Sequence, residues 1–455
     1  MNKHKQFWKL GRADLNSEFF DINKNGDLVV HEGNYQYNIY ELTKKFGTSL
    51  ELVFPFVIER RLQDLMNTFN KVIKSLRYRG KFFYHYPMKV NQNKEFVLPI
   101  ISEGGNLEVT SANELWLVKR LWEQGQFNNR IRVICNGPKT NYYLSLISEL
   151  RDKGLQITPI IEDKVELAAL NNFKGEVGIR LDPDVKINAH WDKKFGRFGL
   201  SAKEILELGR IRNLKILHYH MSTQIEYQDG MIAPLKKAVD LYVKLHKNNP
   251  NLDMIDIGGG LPVSHEGKPL FSTESVIRRI VKTIQRATDK AGVPNPDILV
   301  EWGSYMVAPA QITVYRVLNE KDIVAKATAR KWYVVDGSFM NDLKDTWAIH
   351  QKWQVIPVNN LDAKKLSRVW LVGLSCDSDD KYTAGGNYIL LPRLEDLENG
   401  NQQFVAIMGT GAYQDSLASH HCLLSSPAKI IAQNGVLTVA RKRESAEEVG
   451  KEFGW

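Results

Sequence analysis

The stretch Ile131-Arg-Val-Ile-Cys135, with the turn residues that follow it, a helical pattern from Tyr142 to Arg151, and Ile157-Thr-Pro-Ile-Ile161, decides the fold of this 455-residue chain. It contains a short β-branched run, a helix and a second short apolar run. A strand, a helix and a parallel strand in this order make up a βαβ unit. The stretch therefore predicts two parallel strands joined by a helix.

The same alternation continues on both sides of this stretch, from about residue 80 to residue 302. Helical patterns such as Glu114 to Glu123 and Glu274 to Lys290 separate the short runs. Eight βα repeats are typical of a TIM-type (β/α)8 barrel, so we predict such a barrel over residues 51–309. The predicted strands are Phe82 to Tyr86, Leu107 to Thr110, Ile131 to Cys135, Ile157 to Ile161, Val177 to Leu181, Ile216 to His220, Met254 to Ile257 and Ile298 to Trp302.

The regions that flank the barrel carry a different pattern. In residues 1–50 and 310–455, Gly, Pro and Asn interrupt short strand-forming runs such as Gln311 to Leu318 and Phe404 to Ile407. No low-complexity linker separates these regions from the barrel. We therefore predict a second, β-rich domain that both ends of the chain form together.

Composition limits the classes of function. Apolar residues make up 43% and charged residues 25% of the chain, which excludes a mostly disordered or fibrous protein. The net charge of +9 is spread along the sequence, and no motif interleaves basic with aromatic residues. We therefore expect no nucleic-acid partner, and the weak, diffuse positive charge favours acidic small molecules or no particular class of partner.

The three cysteines, Cys135, Cys376 and Cys422, lie far apart and show neither C-x-x-C nor Cys/His zinc spacing. They indicate a reducing compartment and give no reason to expect a metal site. The basic N-terminal residues are not followed by an apolar segment, and no run of 18 apolar residues occurs. We therefore expect a cytoplasmic protein that does not enter a membrane.

Polar residues lie at the carboxyl ends of the predicted barrel strands, where the catalytic residues of such barrels gather. A lysine among apolar residues at this end has a lowered pKa and is a candidate Schiff-base nucleophile, whereas the alternative is an exposed loop lysine. Lys89 is that lysine. The whole set is Lys89, Glu108, Asn136-Gly137, Glu162, Arg180, His220, Gly258-Gly259-Gly260 and Glu301.

Each of the other strand-end features has two interpretations. The glycines 258–260 let backbone amides approach an anion, or they form a tight turn. Glu301 holds a ring nitrogen protonated, or it forms a salt bridge with an arginine. His220 stacks on a flat cofactor, or it is a hydrogen-bonded structural histidine. Together with Lys89, these residues indicate a pyridoxal phosphate site.

Outside the barrel, Gly373-Leu-Ser-Cys-Asp-Ser-Asp-Asp380 places a cysteine beside three carboxylates. A thiol near acids stays protonated, so Cys376 is a candidate proton donor, with a buried core cysteine as the alternative. Asp377, Asp379 and Asp380 either bind the cationic end of a substrate or form a solvated turn.

Six motifs occur in order over nearly the whole chain: Tyr86-Pro-Met-Lys-Val-Asn-Gln92, Leu107-Glu-Val-Thr-Ser-Ala-Asn-Glu-Leu115, His218-Tyr-His220, Asp256-Ile-Gly-Gly-Gly260, Ser375-Cys-Asp-Ser-Asp379 and Gly411-Ala-Tyr-Gln-Asp415. In residue type and spacing they resemble the motifs of fold-type III pyridoxal phosphate decarboxylases. That family includes ornithine, diaminopimelate and biosynthetic arginine decarboxylases and shares its barrel with alanine racemases. The chain is most similar to the arginine branch.

The resemblance implies a cofactor, pyridoxal 5'-phosphate, and roles for the residues around it. Lys89 would form the covalent link, and Glu301 would keep the pyridine nitrogen protonated, so that the ring becomes a strong electron sink. His220 would stack on the ring. The remaining residues implied at the cofactor are Glu108 and, on the phosphate, Gly258, Gly259, Gly260 and Tyr413.

The resemblance also implies an assembly and a reaction. Cys376 would protonate the α-carbon after loss of carbon dioxide. Cys376 and Asp377 would reach the site from a partner subunit, which implies a homodimer with shared active sites. Asp377, with Asp379 or Asp380 nearby, would bind the basic end of the substrate.

Two departures from the family pattern stand out. Most relatives carry Glu-x-Gly-Arg with the arginine on the cofactor phosphate, whereas this chain has Glu301-Trp-Gly-Ser304. Ser304 supplies one hydrogen bond but no charge. In addition, Met221-Ser222-Thr223 follows the stacking histidine in place of the usual apolar-Gly-Ser.

The leading hypothesis is a decarboxylase that converts L-arginine to agmatine in polyamine and spermidine synthesis. A second hypothesis from the same class is a decarboxylase of citrulline, ornithine or diaminopimelate. From another class, a non-catalytic relative that binds a partner protein is the alternative, and the presence of Lys89, Glu301 and Cys376 speaks against it.

Overall fold

The computed structural model describes residues 3–13, 15–187, 196–264, 270–397 and 402–455. They divide into two units. The first runs from Glu59 to Pro262 and from Leu270 to Met306. The second combines the residues up to Ile58 with those from Val307 onward and a short segment that starts at Val263. Within the described ranges, no helix is sufficiently long and apolar to span a bilayer.

The elements before the barrel are short, apart from one long helix. Asn38 starts the second helix because its side chain accepts hydrogen bonds from the amides of Tyr40 and Glu41. The elements are α1 (Lys3–Phe7), β1 (Phe20–Ile22), β2 (Leu28–Glu32), β3 (Tyr35–Asn38), α2 (Ile39–Phe46), β4 (Leu50–Val53) and α3 (Pro55–Leu76). Strands β1, β2 and β3 form an antiparallel sheet.

The middle of the chain alternates strands and helices. Its elements are β5 (Phe82–Pro87), α4 (Lys94–Ser102), β6 (Asn106–Val109), α5 (Ala112–Glu123), β7 (Arg132–Cys135), α6 (Asn141–Asp152), β8 (Gln156–Ile161), α7 (Lys164–Ala169), β9 (Val177–Asp182), β10 (Leu200–Ser201), α8 (Ala202–Glu207), β11 (Leu214–His218), α9 (Gln228–His246), β12 (Met254–Asp256), α10 (Thr273–Ala291) and β13 (Asp297–Val300).

These strands form the predicted TIM-type barrel, which the structure confirms. Parallel pairing runs from β5 through β6, β7, β8, β9, β11 and β12 to β13, and β13 pairs with β5 to close the ring. Strand β10 adds to β9. Each of the eight predicted strands has its counterpart in the ring, with ends that differ by at most two residues.

Helix caps set the points at which the chain turns back toward the barrel. Ser111, Thr140 and Ser272 precede α5, α6 and α10, and each accepts a hydrogen bond from the amide three residues later. Gly292 ends α10 with a φ of 65°, a left-handed conformation that glycine adopts without a steric cost. The barrel interior is filled by side chains from five strands: Ile134, Ile160, Ile216, Met254 and Leu299.

The remaining elements belong mainly to the β-rich unit. They are α11 (Gly303–Val307), β14 (Gln311–Asp322), β15 (Lys331–Val335), α12 (Asp345–Ala348), β16 (Val355–Pro357), β17 (Leu366–Val372), β18 (Lys381–Tyr382), β19 (Ile389–Pro392), β20 (Phe404–Met408), α13 (Gln414–Leu417), β21 (Ala428–Gln433), β22 (Val436–Arg441) and α14 (Ala446–Glu452).

The main sheet of this unit has the order β18-β17-β15-β14-β4-β21-β22. Strand β4 therefore pairs on one side with β14, antiparallel, and on the other with β21, parallel. The sequence-based boundary had assigned residues from 51 onward to the barrel, whereas Leu50–Val53 is an inner strand of the β-rich sheet.

A buried charge cluster fixes β4 against β21 and β22. Oε2 of Glu51 lies 2.8 Å from Nη2 of Arg441 and 3.4 Å from Nζ of Lys429, which also contacts the carboxylate of Asp415. Burial raises the pKa of Glu51 to about 7, and the charge of Asp415 adds to that rise. Because a buried carboxylate without cations is costly, Lys429 and Arg441 are needed to hold Glu51 in the sheet.

Candidate active site

Lys89 lies on the 3-10 turn Met88–Val90, directly after β5 at the carboxyl end of the barrel. Its Nζ is 3.4 Å from Oε2 of Glu108, and the Lys89 side chain is 37% exposed whereas that of Glu108 is fully buried. Burial raises the pKa of Glu108 to about 7, although the charge of Lys89 opposes the rise. Lys89 is thus oriented by a buried acid while its amine is reachable from solvent.

Glu301 follows β13 and is 3% exposed. Its Oε1 accepts a hydrogen bond of 2.9 Å from Nδ2 of Asn136 and lies 3.9 Å from Nδ1 of His218. The same His218 nitrogen lies 3.1 Å from Oδ2 of Asp256. Asn136, His218 and Asp256 therefore surround Glu301 from three other strands of the barrel.

Burial sets the protonation of this group. It raises the pKa of Glu301 to about 7, with the Asp256 carboxylate adding to the rise, and it raises the pKa of Asp256 to about 7. Burial also lowers the pKa of His218 to about 4, so that this imidazole is neutral at neutral pH. A cationic ring nitrogen against Glu301 would favour its ionised form, since opposite charges attract strongly in a low-dielectric interior.

On the other side of the barrel mouth, the charge of a buried glutamate is balanced by an arginine of the same chain. Oε1 of Glu162 lies 2.8 Å from Nη1 of Arg180 and accepts a hydrogen bond of 3.0 Å from the amide of Gly137. Burial works to raise the pKa of Glu162, but the Arg180 charge and hydrogen bond prevail and lower it. Glu162 and Arg180 thus form a structural pair, and the acids that lack such a pairing are those around Glu301.

His220 and the glycine loop pack closely together. The amide of Gly259 donates a hydrogen bond of 3.0 Å to Nδ1 of His220, so the neutral imidazole carries its proton on Nε2. A Cβ on Gly259 would lie 2.8 Å from Cε1 of His220, and one on Gly258 would lie 2.5 Å from the carbonyl oxygen of Tyr219. Glycine is therefore required here so that the loop can approach the histidine.

The hydrogen bonds of the loop correct one expectation. The Gly258 amide donates to Oδ1 of Asp256 at 2.9 Å, and the Gly259 amide donates to His220, so both are directed into the barrel and not toward an anion. Gly260 has a φ of 121° and lies beside Ser222, whose buried Oγ has no hydrogen-bond partner among the described residues.

Cys376 lies in the β-rich unit, in the loop between β17 and β18, and is exposed, which excludes the buried-core alternative. Its Sγ is 3.5 Å from Sγ of Cys422. The hydrogen bond with Cys422 raises the pKa of the Cys376 thiol, and the charge of Asp377 adds a smaller contribution. The neighbouring thiol, more than the acids, keeps Cys376 protonated.

The three aspartates of this loop differ in environment. Asp377 and Asp379 are partly or fully exposed, and Oδ2 of Asp377 lies 3.9 Å from Nε2 of His421. Asp380 is completely buried, and its carboxylate accepts hydrogen bonds from the amides of Phe339 and Ser375 at 2.7 and 2.9 Å. The expectation that Asp380 binds substrate is therefore corrected, since its carboxylate anchors the loop internally.

Tyr413 precedes α13 with a φ of 66° and is partly buried in the β-rich unit. Of the residues expected at the site, the barrel brings together Lys89 with Glu108, and His220 with the glycine loop. Cys376, Asp377 and Asp379 share one loop of the other unit.

Sequence reasoning selected Asn136 at a strand end but missed three other polar residues of the barrel mouth as site residues: His218, Ser222 and Asp256. A signal existed for His218, because residues two apart in a strand point to the same side and His220 had been selected. Asp256 lies two residues before the first glycine of the loop, within the predicted strand Met254 to Ile257. Ser222 had been noted only as a departure from the family pattern.

The chain is similar to known proteins over most of its length. A model of the pyridoxal-dependent decarboxylases, covering their pyridoxal binding domain, matches residues 59–308. The biosynthetic arginine decarboxylase of Bacteroides thetaiotaomicron is 23% identical, over 90% of this chain and 84% of that protein.

Two solved structures share the fold. The biosynthetic arginine decarboxylase of Campylobacter jejuni has a TM-score of 0.79 at 21% identity and covers 96% of this chain and 88% of its own. Diaminopimelate decarboxylase of M. jannaschii, in complex with L-lysine, has a TM-score of 0.81 at 20% identity and covers 96% and 98%. Since the family model covers more than half of the chain, the protein belongs to the pyridoxal-dependent decarboxylases, with pyridoxal phosphate as its cofactor.

Proposed function

We propose that this decarboxylase converts L-arginine to agmatine and carbon dioxide, in a polyamine pathway of the cytoplasm. The observation that carries the choice of substrate class is the partly exposed carboxylate of Asp377 directly after the Cys376 thiol. The name of the Bacteroides relative supports arginine among the basic amino acids. Because the chain also shares its fold with a diaminopimelate decarboxylase, diaminopimelate is included among the substrates to be tested.

The barrel residues fit pyridoxal phosphate. Lys89 provides the amine for the covalent link, and the acid-rich group around Glu301 suits a protonated pyridine nitrogen. His220 suits the ring face. When bound, the cofactor supplies an electron sink for the cleavage of the bond between the α-carbon and the carboxylate.

The phosphate would be held mainly by neutral donors. We assign it to the Gly260 amide and to the Ser222 hydroxyl, which has no hydrogen-bond partner among the described residues, and the family resemblance implies the Tyr413 hydroxyl as a further donor. Ser304, in α11, replaces the arginine of most relatives and adds a hydroxyl without a positive charge. We therefore expect weaker phosphate binding than an arginine at position 304 would give.

The chain's own groups then handle substrate and protons. Asp377 would accept two parallel hydrogen bonds from a guanidinium, which orients the substrate. Cys376 would deliver its thiol proton to the α-carbon once carbon dioxide has left. We propose, as the family resemblance implies, that Cys376 and Asp377 act in the site of a partner subunit in a homodimer.

Citrulline is the second candidate, because His421 lies beside Asp377. At 3.9 Å from Oδ2, Nε2 of His421 is a group that can offset the charge of Asp377. A neutralised aspartate would no longer reject the uncharged side chain of citrulline, which has nearly the same shape as arginine. Ornithine carries a shorter ammonium group and would reach Asp377 less well.

The experiment is to measure kcat/KM for arginine, citrulline, ornithine and diaminopimelate with the purified, cofactor-loaded protein, and to identify each amine. Asp377→Asn should lower the value for arginine by about 30-fold, equivalent to about 2 kcal/mol, and affect citrulline far less. Asp396→Asn is the matched control, because Asp396 is an aspartate of the same unit paired with Lys365. A value for citrulline above that for arginine would overturn the choice of substrate.

A further inference from the structure

Three metal-binding side chains converge in the β-rich unit although 46 residues separate Cys376 from Cys422. The two Sγ atoms lie 3.5 Å apart, and one ligand atom each of Cys376, His421 and Cys422 lies within 4.8 Å of the others. Two sulfur ligands of one tetrahedral zinc ion lie about 3.8 Å apart, because each Zn–S bond is about 2.3 Å long. The observed spacing therefore suits a shared ion after small side-chain movements.

The backbone on both sides of this group is fixed. Asn341 holds His421 at two points: Nδ2 donates to the His421 carbonyl at 2.9 Å, and Oδ1 accepts from the His421 amide at 3.2 Å. In the Cys376 loop, the buried Asp380 carboxylate accepts a hydrogen bond from the amide of Ser375, the residue before Cys376. Since metal affinity rises when ligands are positioned in advance, these anchors favour binding.

A fourth ligand is at hand, and the local charge suits a cation. Oδ2 of Asp377 lies 3.9 Å from Nε2 of His421, and Asp377 is partly exposed. The side chains of Cys376, His421 and Cys422 are exposed on the single chain. Zinc binds a donor set of two sulfurs, one imidazole and one carboxylate more strongly than calcium or magnesium does.

We propose that Cys376, His421 and Cys422 bind one zinc ion, with Asp377 or a water molecule completing the tetrahedron. On binding, each S–H bond is replaced by an S–Zn bond and the two thiol protons pass to solvent, with no change in oxidation state. No Cys/His zinc spacing predicts this site, because its ligands come from two distant segments.

The site has a consequence that rests on the proposed function. Zinc on Cys376 removes the proton that this thiol would deliver to the α-carbon. Zinc is therefore an inhibitor of turnover, and the cysteines that bind it connect the activity of the enzyme to the free zinc concentration.

The binding test uses the full-length, cofactor-loaded protein in a phosphine reductant, titrated with zinc against a competing chelator dye. We expect one ion per chain, and at least about 100-fold weaker binding in Cys422→Ser and His421→Ala. His420→Ala is the matched control, because the adjacent His420 ring faces Glu444 and Glu452 at 3.7 and 3.6 Å. Wild-type affinity in His421→Ala, or loss of binding in His420→Ala alone, would overturn the assignment.

A spectroscopic measurement keeps the proposal testable if a variant fails to fold. Cobalt(II) bound to the wild-type protein should show sulfur-to-metal charge-transfer absorption, and zinc should displace it. Absence of that band at saturating cobalt would refute thiolate ligation.

The consequence for activity is read as the ratio of turnover with buffered zinc to turnover with chelator. Wild type should show a low ratio, and Cys422→Ser should restore it toward one. A protein that binds zinc as described but decarboxylates no amino acid would refute the proposed function and leave the site intact. Equal inhibition of wild type and Cys422→Ser would refute the inhibitory role.

Discussion

Glu301 and Cys376 both keep a proton more tightly than usual, but for opposite reasons. Glu301 belongs to the barrel-mouth cluster of Lys89, Glu108, His218, Asp256 and Glu301, where burial raises its pKa to about 7. Cys376 belongs to the cysteine-loop cluster of Cys376, Asp377, His421 and Cys422, where it is exposed and a hydrogen bond with a second thiol raises its pKa.

Protonation is therefore controlled in two different ways, by burial in one cluster and by a single neighbouring group in the other. In the barrel-mouth cluster the low dielectric acts on every ionisable group, so that one substitution alters several protonation equilibria and the stability of the fold. In the cysteine-loop cluster water screens the charges, and each property depends on one neighbour. Substitutions in the loop should therefore change chemistry with little effect on folding.

The largest effect is expected in the barrel-mouth cluster. Lys89→Ala removes the amine for the covalent link and should lower kcat/KM by at least about 10³-fold. Borohydride reduction of the wild-type protein, followed by peptide mapping, should place the cofactor on Lys89. The buried Lys139, which pairs with Glu166, is an internal control that should stay unlabelled. A label on another lysine would show that the assignment is wrong.

The next effect tests the cysteine-loop cluster. Cys376→Ala should release carbon dioxide but protonate the α-carbon wrongly, so that the yield of amine per carbon dioxide falls by about 10²-fold. Carbon dioxide and amine are measured separately, together with the thermal midpoint, which should shift little because Cys376 is exposed. Cys422→Ala is the comparison variant, and we expect its amine yield to fall less. An unchanged amine yield in Cys376→Ala would remove this thiol from the mechanism.

A mixing experiment tests whether the two clusters work across subunits. Equal amounts of Lys89→Ala and Cys376→Ala chains should recover about a quarter of wild-type sites, since half of the dimers are mixed and each then has one whole site. Activity is measured after subunit exchange has been demonstrated by labelled chains. Exchange without recovery would place both residues in one site of the same chain.

The smallest effect is a change in the pH dependence of stability. In the cofactor-free protein the pKa of Asp256 is raised from 3.8 to about 7, so the folded state holds this proton and stability falls as pH rises through that interval. Asp256→Asn should reduce the loss in unfolding free energy between about pH 5 and about pH 7.5, measured with urea.

His85 serves as a control, because its titration changes the unfolding free energy with pH in the opposite direction. Burial lowers its pKa from 6.5 to about 3, so the unfolded chain binds this proton more readily and stability rises with pH up to about 6.5. His85→Asn removes that rise and should steepen the loss that the wild type shows. Parallel curves for wild type and both variants would contradict the description of the buried groups.

The sequence predicted those features that depend on local pattern. Alternating runs located the barrel strands, and position after a strand selected Lys89, Glu108 and Glu301. It could not show that the Gly258 and Gly259 amides are engaged, or that Asp380 is buried, because these facts depend on hydrogen bonds formed only after folding.

Contacts between distant segments likewise could not be predicted from the sequence. The approach of His218 to Asp256 follows from the pairing of β11 with β12, in which these two residues stand opposite each other. The meeting of Cys376 with Cys422 joins two loops that no spacing rule connects. Burial and register, which decide protonation and ligation, are properties of the assembled chain.

The position of β4 has a consequence for synthesis on the ribosome. This strand emerges before the barrel, yet both strands that flank it, β14 and β21, are made after the barrel. Until then its two edges have no hydrogen-bond partners, and Glu51 has neither Lys429 nor Arg441. We expect nascent chains with a folded barrel to expose β4 as an unpaired, aggregation-prone strand. Such chains should therefore depend on chaperones until β21 and β22 have been translated.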